Sequence, residues 1–312
     1  MKRCPITYYQ ISDYENYSPK GLRLLSPQLK QLEPLDLSAD EQRLEAIARV
    51  GKMSIQGVQK KLSAKLKITA GRFEIVDKNG EYILKPQSDV YPELPENEAI
   101  TMSLAKKVGL DVPVHGLVYC KDQSFTYFIK RFDRIGGHKK LAVEDFAQLS
   151  GEDRYTKYKS SMEKVIAVIE KFCTFPKIEY IKLFKLTLFN FLIGNEDMHL
   201  KNFSLITKDR KILISPPYDL LNSTIAQINT KEEIALPLNG KKTNLTSRDF
   251  FKYLAIEKLS LNNNIVNGII NEFTQAIPIW QELITNSFLS PLMQKKYQEL
   301  LLKRCKQLSI FQ

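Results

Sequence analysis

The amino-acid sequence predicts an α+β fold with a small β-rich N-terminal lobe, a hinge and a larger helical C-terminal lobe. Up to about residue 130, short apolar runs alternate with turn residues, a pattern typical of β-strands. Beyond residue 136 the apolar residues recur at the helical spacing of three and four. We therefore expect an N-terminal extension packed on the N-lobe at 1–50, the N-lobe and hinge at 51–132 and the C-lobe at 133–312.

The composition is that of a folded protein with a basic surface. The 312 residues suffice for one large or two modest domains, and 43% are hydrophobic and 26% charged, which argues against a disordered chain. A formal net charge of +11 favours polyanionic partners such as phosphates, nucleic acid or an acidic protein. Because the lysines are scattered along the chain, a generally basic surface is the alternative.

Neither a zinc site, nor a disulfide framework, nor a membrane span is predicted. The chain opens with no signal peptide and has no C-x-x-C motif, so we expect reduced thiols and a cytoplasmic location. Lys182, Lys185 and Asn190 interrupt the most apolar segment, which indicates a buried helix. The four widely spaced cysteines are Cys4, Cys120, Cys173 and Cys305.

The first predicted helix follows a stretch rich in turn signals. Ser38 and Glu41 have the spacing of a capping box, and Leu44, Ile47 and Ala48 share one helix face. Next, over Lys52–Leu66, comes a loop with a single glycine, which opens into an alternating run that predicts a strand. The backbone amides and lysines of this loop could bind phosphates. An ordinary basic turn is the alternative, because the loop is neither G-x-G-x-x-G nor a Walker A sequence.

Two strands joined by a tight turn are predicted next. Phe73–Val76 and Tyr82–Lys85 flank Asn79-Gly80, which predicts a β-hairpin. Lys85 ends an apolar strand, so its ammonium is either aimed at nucleotide phosphates or solvated at the strand end. A helix over Glu96–Val108 follows, with Gly109 as its C-cap.

Glu98, in the first turn of that helix, is the expected ion-pair partner of Lys85, as in protein kinases. Strands at Val114–Tyr119 and Phe125–Ile129 complete a small antiparallel sheet. Such a lobe, followed by a hinge and a helical lobe, favours ATP binding in a cleft. The predicted C-lobe helices are Val143–Leu149, Ser161–Cys173, Ile178–Ile193, Arg248–Ile256, Ile265–Leu283 and Pro291–Gln307.

A polar loop follows the most apolar predicted helix, which stops at Gly194. It contains Asp197 and Asn202 in the spacing D-x-x-x-x-N, and two short β-rich runs then lead to Asp219. Protein kinases use this spacing: the aspartate accepts the hydroxyl proton of the substrate, and the asparagine and a later aspartate hold magnesium. Because the pair alone occurs by chance, an ordinary surface loop is the alternative.

Six segments in order carry a family resemblance: Ser54 to Lys61, Tyr82 to Pro86, Glu96 to Pro113, Lys130 to Arg134, Gly194 to Phe203 and Pro217 to Asp219. Over about residues 50 to 220 the chain resembles the HipA-like serine/threonine kinase toxins. The resemblance implies a protein-kinase-like, HipA-like fold and the cofactors ATP and Mg²⁺.

The resemblance also implies a role for each matching residue. Asp197 would be the catalytic base, with His199 and Lys201 beside it on the phosphate side of the loop, and Asn202 and Asp219 would bind magnesium. Ser54 would be the site of inhibitory autophosphorylation. The implied nucleotide-binding residues are Ser54, Gln56, Gly57, Val58, Lys85, Glu98 and the hinge residues Lys130, Arg131 and Phe132.

The sequence departs from a full HipA in its N-terminal part, which is too short for the additional N-terminal subdomain. It looks more like HipT, the short kinase subunit of HipBST systems, whose loop can carry two serines where this chain has Ser54 and then Gln56. The implied partners are a HipB-like DNA-binding antitoxin, a HipS-like small protein and a protein substrate, expected to be an aminoacyl-tRNA synthetase. DNA would be contacted only through the antitoxin.

Two other functions stay open. A metal-dependent phosphohydrolase could use Asp197 and His199 as ligands, but the chain has only three histidines, which poorly supplies such a centre. A pseudokinase could bind the antitoxin without catalysis, although the retained Lys85, Asp197, Asn202 and Asp219 argue for chemistry.

Overall fold

A computed structural model describes residues 2–49, 59–136, 139–152, 160–226 and 231–310. The chain divides into two compact units. The first comprises Met1–Ile100, Pro113–His138 and Asn286–Ser290, and the second comprises Thr101–Val112, Lys139–Thr285 and Pro291–Gln312. Within the described ranges, no helix has the length and apolar character needed to cross a membrane.

A five-stranded antiparallel sheet forms the centre of the first unit. Its strands are β1 Leu62–Lys67, β2 Arg72–Ile75, β3 Tyr82–Lys85, β4 His115–Tyr119 and β5 Phe125–Lys130. Their order across the sheet is β2-β1-β3-β5-β4. The predicted strands are confirmed, and the last of them runs one residue further, to Lys130.

The predicted hairpin between β2 and β3 is wrong. Both strands pair with β1, which lies between them, so the Asn79-Gly80 turn carries the chain past β1. A Cβ atom at Gly80 would lie 1.9 Å from the Ser63 side-chain oxygen of β1. Close packing against β1 therefore requires glycine at this position. The Asn-Gly pair does not form a two-residue hairpin turn here.

The N-terminal residues form part of the core of this unit. Helices α1 (Pro19–Leu25) and α2 (Ala39–Ala48) precede the sheet, and the predicted capping box of Ser38 and Glu41 is present. The apolar groups that share this core with the sheet include Cys4, Ile6, Tyr17, Leu22, Leu25, Leu29, Leu32, Leu35 and Ala46.

Helix α2 does not bury the apolar face from which it was predicted. Leu44 and Ile47 are 67% and 52% exposed, whereas Ala39, Gln42 and Ala46 are buried. The polar side chain of Gln42 faces the sheet because its amide oxygen accepts a 2.8 Å hydrogen bond from the Thr126 hydroxyl. A partnered polar group, which an apolar pattern does not reveal, therefore sets the orientation of this helix.

The remaining elements lie after β3. Helix α3 (Leu94–Lys107) begins two residues before its predicted start, so Glu98 lies in its second turn and not its first, and Gly109 with φ of +71° ends it as predicted. The others are β6 Arg134–Ile135, β7 Lys139–Lys140, β8 Val143–Asp145, α4 Phe146–Leu149, α5 Met162–Phe172, α6 Pro176–Ile193, β9 Ser204–Lys208, β10 Lys211–Ile214, α7 Ser223–Ala226, a π-helix at Arg248–Lys258, α8 Asn263–Thr285 and α9 Pro291–Leu308.

The predicted helix over Val143–Leu149 is half wrong. Its first three residues form β8, which pairs antiparallel with β9 in a three-stranded sheet. The Asp145 side chain then accepts the Gln148 backbone N–H at 2.9 Å and caps the short helix α4. Pairing with a strand about sixty residues later therefore overrides the local helical pattern.

Helix α6 ends at the polar loop that contains Asp197 and Asn202. Its Pro176 occupies the first turn, and Gly194 ends it in the left-handed conformation with φ of +73°. A Cβ atom on Gly194 would lie 2.4 Å from a methyl carbon of Leu300 on α9. Both the backbone angle and the close approach of α9 require glycine at this position.

Candidate catalytic site

A buried asparagine shapes the turn after Gly194. The Asn195 side-chain amide donates to the side-chain oxygen of Asn190 at 2.9 Å, and its own side-chain oxygen accepts the Asp197 backbone N–H at 3.2 Å. Asn195 is 1% exposed, whereas the Asp197 side chain is 44% exposed. Buried hydrogen bonds thus hold the turn, and the Asp197 carboxylate stays accessible from solvent.

Asp197 and Asn202 are joined directly. The Asn202 side-chain nitrogen donates a 2.9 Å hydrogen bond to the Asp197 carbonyl oxygen, and the Asn202 backbone N–H donates to the carbonyl oxygen of His199. A 3₁₀ turn at Leu200–Asn202 spans the interval. Three apolar side chains anchor the loop in the core, namely Met198, Leu200 and Phe203.

His199 is buried close to Asp197 and is only 5% exposed. Its Nε2 atom is 3.9 Å from the Asp197 Oδ1 atom, which is too long for a direct hydrogen bond. A protonated imidazole at this distance would attract the carboxylate. The structure therefore brings two of the predicted catalytic residues together. The third, Lys201, accepts a hydrogen bond from Tyr218 through its backbone carbonyl oxygen.

Tyr218 connects this loop to Asp219. Its hydroxyl donates to the Lys201 carbonyl oxygen at 2.9 Å and lies 2.5 Å from the Ser204 hydroxyl. Burial raises the pKa of Tyr218 far above its ordinary value, so the hydroxyl stays neutral and remains a donor. The position of Asp219 is consequently tied to the residue before Asn202.

Asp219 has an uncommon backbone conformation. Its φ of +54° lies in the left-handed region, where a residue other than glycine, asparagine or aspartate is strained. With Asn202, Asp219 supplies a carboxylate and a carboxamide oxygen, which are ligands that Mg²⁺ accepts together with water and phosphate oxygens.

No group of three or more His, Cys, Asp or Glu side chains suited to a metal ion occurs within the described ranges. A magnesium ion held by one or two carboxylates plus substrate phosphates needs no such group. The side-chain oxygens of Asn202 and Asp219 fit a magnesium ion held in this way.

The first unit contains a second set of predicted residues. The Lys85 ammonium lies 2.6 and 2.8 Å from the two carboxylate oxygens of Glu98, and both side chains are 2% exposed. The ammonium is also 5.5 Å from the ring centroid of Tyr127, within reach of a cation–π interaction. Lys85 is thus not a solvated strand-end lysine.

The predicted hinge residues differ in their surroundings. The Arg131 backbone N–H donates to the Glu81 carbonyl oxygen at 2.8 Å, and its guanidinium makes two hydrogen bonds, of 3.0 and 2.9 Å, to the Asp133 carboxylate. Lys130 is exposed and Phe132 is half-buried. The predicted nucleotide-loop residues Ser54, Gln56, Gly57 and Val58 lie outside the described residues.

Comparison with known proteins decides the family. Residues 53–280 match the HipA-like C-terminal domain, which is well over half of the chain. The chain belongs to the HipA-like C-terminal domain family. Two relatives bear this out.

One relative, a protein of Haemophilus influenzae named as a candidate kinase, is 31% identical over 302 residues, 88% of this chain and 87% of that protein. The serine/threonine-protein kinase toxin HipA of Shewanella oneidensis is 24% identical over 247 residues, which cover 73% of this chain and 56% of that protein.

A solved structure of Shewanella oneidensis HipA, in a complex with HipB and its operator DNA, has the same fold as this member of the HipA-like family. The TM-score is 0.67 at 21% identity, and the match covers 91% of this chain and 74% of that chain. The predicted α+β, protein-kinase-like HipA fold is therefore confirmed.

Proposed function

We propose that this chain is an ATP- and Mg²⁺-dependent serine/threonine kinase and the toxin of a toxin–antitoxin system. The observation that carries the proposal is the contact between Asp197 and Asn202. The Asn202 carboxamide donates a hydrogen bond to the backbone of Asp197, five residues earlier, and the Asp197 carboxylate stays accessible. Membership of the HipA-like family and the kinase names of two relatives support the same reaction.

Each residue has a role in the proposed mechanism. The Asp197 carboxylate accepts the proton of the substrate hydroxyl as that oxygen forms a bond to the γ-phosphorus of ATP. The bond between this phosphorus and the β,γ-bridging oxygen breaks, and ADP leaves. Asn202 and Asp219 would hold Mg²⁺ through their side-chain oxygens, and Lys85, fixed by Glu98, would bind nucleotide phosphates. Bound Mg²⁺ neutralises charge on the phosphates in such reactions.

His199 and Lys201 complete the proposed site on the phosphate side of the loop. Both add positive charge, or a hydrogen-bond donor, where negative charge develops during phosphoryl transfer. The nucleotide would also contact Ser54, Gln56, Gly57 and Val58 and the hinge residues Lys130, Arg131 and Phe132.

The finer proposals concern partners and regulation. A HipA relative crystallised with HipB and operator DNA supports a HipB-like antitoxin as a partner of this chain. We extend the proposal to the HipT type, with a HipS-like small protein, an aminoacyl-tRNA synthetase as substrate, a cytoplasmic location, and inhibition by autophosphorylation of Ser54.

Asp197→Asn tests the proposal because it preserves the shape of the side chain and removes the base. Incubation with labelled ATP and cell extract should give a labelled protein with the parent chain and none with the variant, while ATP binding measured by calorimetry stays largely unchanged. Asp209→Asn is the matched control, because Asp209 lies exposed in the β9–β10 turn and the change removes the same charge.

Expression in cells separates catalysis from sequestration. Asp197→Asn should relieve growth arrest, and Asp209→Asn should not. Equal arrest by the parent chain and by Asp197→Asn would favour a pseudokinase that acts by binding. Label transfer at the parental rate by Asp197→Asn would exclude Asp197 as the base.

A further inference from the structure

A buried charged network lies directly beneath the catalytic loop, within the second unit. The Arg304 guanidinium on α9 forms an ion pair with the Glu233 carboxylate and lies 3.7 Å from the Glu196 carboxylate. Its central carbon is 4.7 Å from the ring centroid of Phe191 on α6. Arg304 is 4% exposed, so one cation is shared by two carboxylates away from water.

Glu196 is the residue immediately before Asp197, and it is held on two sides. Its backbone N–H donates to the Ser223 hydroxyl at 2.7 Å, and one of its carboxylate oxygens accepts the Thr224 hydroxyl at 2.7 Å. The Thr224 backbone N–H in turn donates to the Gly194 carbonyl oxygen at 3.1 Å. Glu196 therefore connects α7 and α9 to the turn that carries Asp197.

The carboxylate of Glu233 is held independently of the loop. Its two oxygens accept hydrogen bonds from the Gln307 amide at 3.0 Å and from the Leu245 backbone N–H at 2.9 Å. The Arg304 guanidinium thus pairs with Glu233, which is fixed independently of the loop, and with Glu196 on the catalytic turn. It also donates to the Gln307 side-chain oxygen at 3.5 Å. A planar guanidinium can contact two carboxylates with separate nitrogens, which a lysine ammonium cannot do with the same geometry.

Stability alone does not explain this arrangement. Removing charges from water carries a penalty that the attraction within a buried network often fails to exceed, and apolar replacements of similar volume are frequently neutral or stabilising. Buried ionic groups can instead fix one geometry out of several. The geometry that this network fixes includes the backbone of Glu196 and Asp197.

We propose that Arg304 is a positioning residue for phosphoryl transfer, which acts through Glu196 to hold Asp197 in its reactive orientation. The inference rests on the proposed role of Asp197 as base, and it adds a residue more than one hundred positions away to the machinery of the site. Sequence reasoning did not single out Arg304, because no local pattern distinguishes it from its exposed neighbour Lys303.

The first test compares Arg304→Met with Arg304→Lys. Arg304→Met should lower kcat by about tenfold or more, the size of effect that follows a small misplacement of a catalytic group, while KM for ATP changes little. Arg304→Lys keeps the charge and should recover part of kcat. Lys303→Met, on the same helix but exposed, removes one positive charge and should leave both constants unchanged.

A double-mutant cycle tests the route through Glu196. Glu196→Gln should itself lower kcat, and the combination with Arg304→Met should be no slower than Arg304→Met alone, because both changes break one connection. Rate losses that multiply in the double variant, or an Arg304→Met variant with parental kcat, would overturn the proposal. If Arg304→Met does not fold, Glu196→Gln with Arg304→Lys supplies the same cycle.

Hydrogen exchange separates this inference from the proposed function. Arg304→Met should accelerate amide exchange at residues 195–202, whereas Lys303→Met should not. Parental exchange there in Arg304→Met would overturn the positioning role, even in an active kinase. If the parent chain transfers no phosphate, the proposed function fails, and faster exchange would then show that Arg304 orders the loop of a protein with another activity.

Discussion

The side-chain nitrogen of Asn202 donates a 2.9 Å hydrogen bond to the backbone carbonyl oxygen of Asp197. This bond assigns the orientation of the carboxamide, because its nitrogen must face the carbonyl. The side-chain oxygen is then the atom available to a cation. One contact therefore links the conformation of the proposed base to the proposed metal ligand.

Asn202→Ala should remove both functions of this side chain. We expect the Mg²⁺ concentration for half-maximal phosphoryl transfer to rise by roughly ten- to a hundredfold, the range typical of lost contacts around a metal site. Titration of activity with Mg²⁺ measures the change in this concentration. Asn264→Ala, at an exposed position, serves as the control. Identical magnesium curves for the two variants would contradict the ligand role.

Breaking the buried pair of Lys85 and Glu98 should destabilise the fold. Removal of one partner from a buried ion pair costs about 3–5 kcal/mol, because the other charge stays buried. Glu98→Gln should therefore lower the free energy of unfolding in urea strongly. Glu74→Gln is the control, since Glu74 pairs with Lys67 at 2.9 Å but both are about half exposed (51% and 50%), and such pairs contribute about 0–1 kcal/mol.

The same pair tests the nucleotide site. Lys85→Met should raise KM for ATP as well as reduce stability, whereas Lys85→Met combined with Glu98→Leu should regain stability without regaining ATP binding. A double variant that binds ATP like the parent chain would exclude Lys85 from the proposed nucleotide site.

Local signals in the sequence predicted much of the fold. Helix ends were predicted well because they depend only on near neighbours in the chain. Examples are the capping box of Ser38 and Glu41 and the left-handed glycines Gly109 and Gly194. The D-x-x-x-x-N spacing likewise predicted that Asp197 and Asn202 would belong to one loop. Features of this kind are encoded within a few residues.

Long-range partners account for what the sequence did not predict. Strand β1 separates β2 from β3, and β8 forms only because β9 offers it a partner. Arg304 and Glu233 lie far from Glu196 in sequence. A single sequence carries no signal that identifies which distant residues meet, so these contacts required the structure.

Asp249 makes stability depend on pH in the acid range. Burial acts to raise the pKa of its carboxyl, but hydrogen bonds from Asn239, Lys241 and Thr246 outweigh that effect and lower the pKa from 3.8 to about 2. A lowered folded-state pKa stabilises the fold above the unfolded-state value, and that contribution is lost as pH falls from about 4 to about 2.

Asp249→Asn should therefore be less stable than the parent chain at neutral pH, and its stability should fall less steeply between pH about 4 and about 2. Urea unfolding at several pH values measures both quantities. Asp209→Asn, at an exposed turn position, should keep the parental pH dependence. Parallel stability curves for the parent chain and Asp249→Asn would show that the carboxylate contributes nothing of this kind.

Ser54 lies three residues before the single glycine of the proposed nucleotide loop and close to Lys52. A phosphate on Ser54 adds about −1.5 to −2 charges at neutral pH. That charge would compete with ATP for the same backbone amides and lysines, or hold the loop away from nucleotide. We therefore expect phospho-Ser54 to be the less active form.

Ser54→Ala should abolish autophosphorylation and keep activity on an external protein, whereas Ser54→Asp should reproduce inhibition only partly, because a carboxylate has less charge and fewer oxygens than a phosphate. Ser12→Ala, at an exposed position, should leave autophosphorylation unchanged. Mass spectrometry after incubation with Mg-ATP measures the modified sites. Phosphate found only on other serines or threonines would remove this mode of inhibition, and the kinase reaction itself would still be tested by Asp197→Asn.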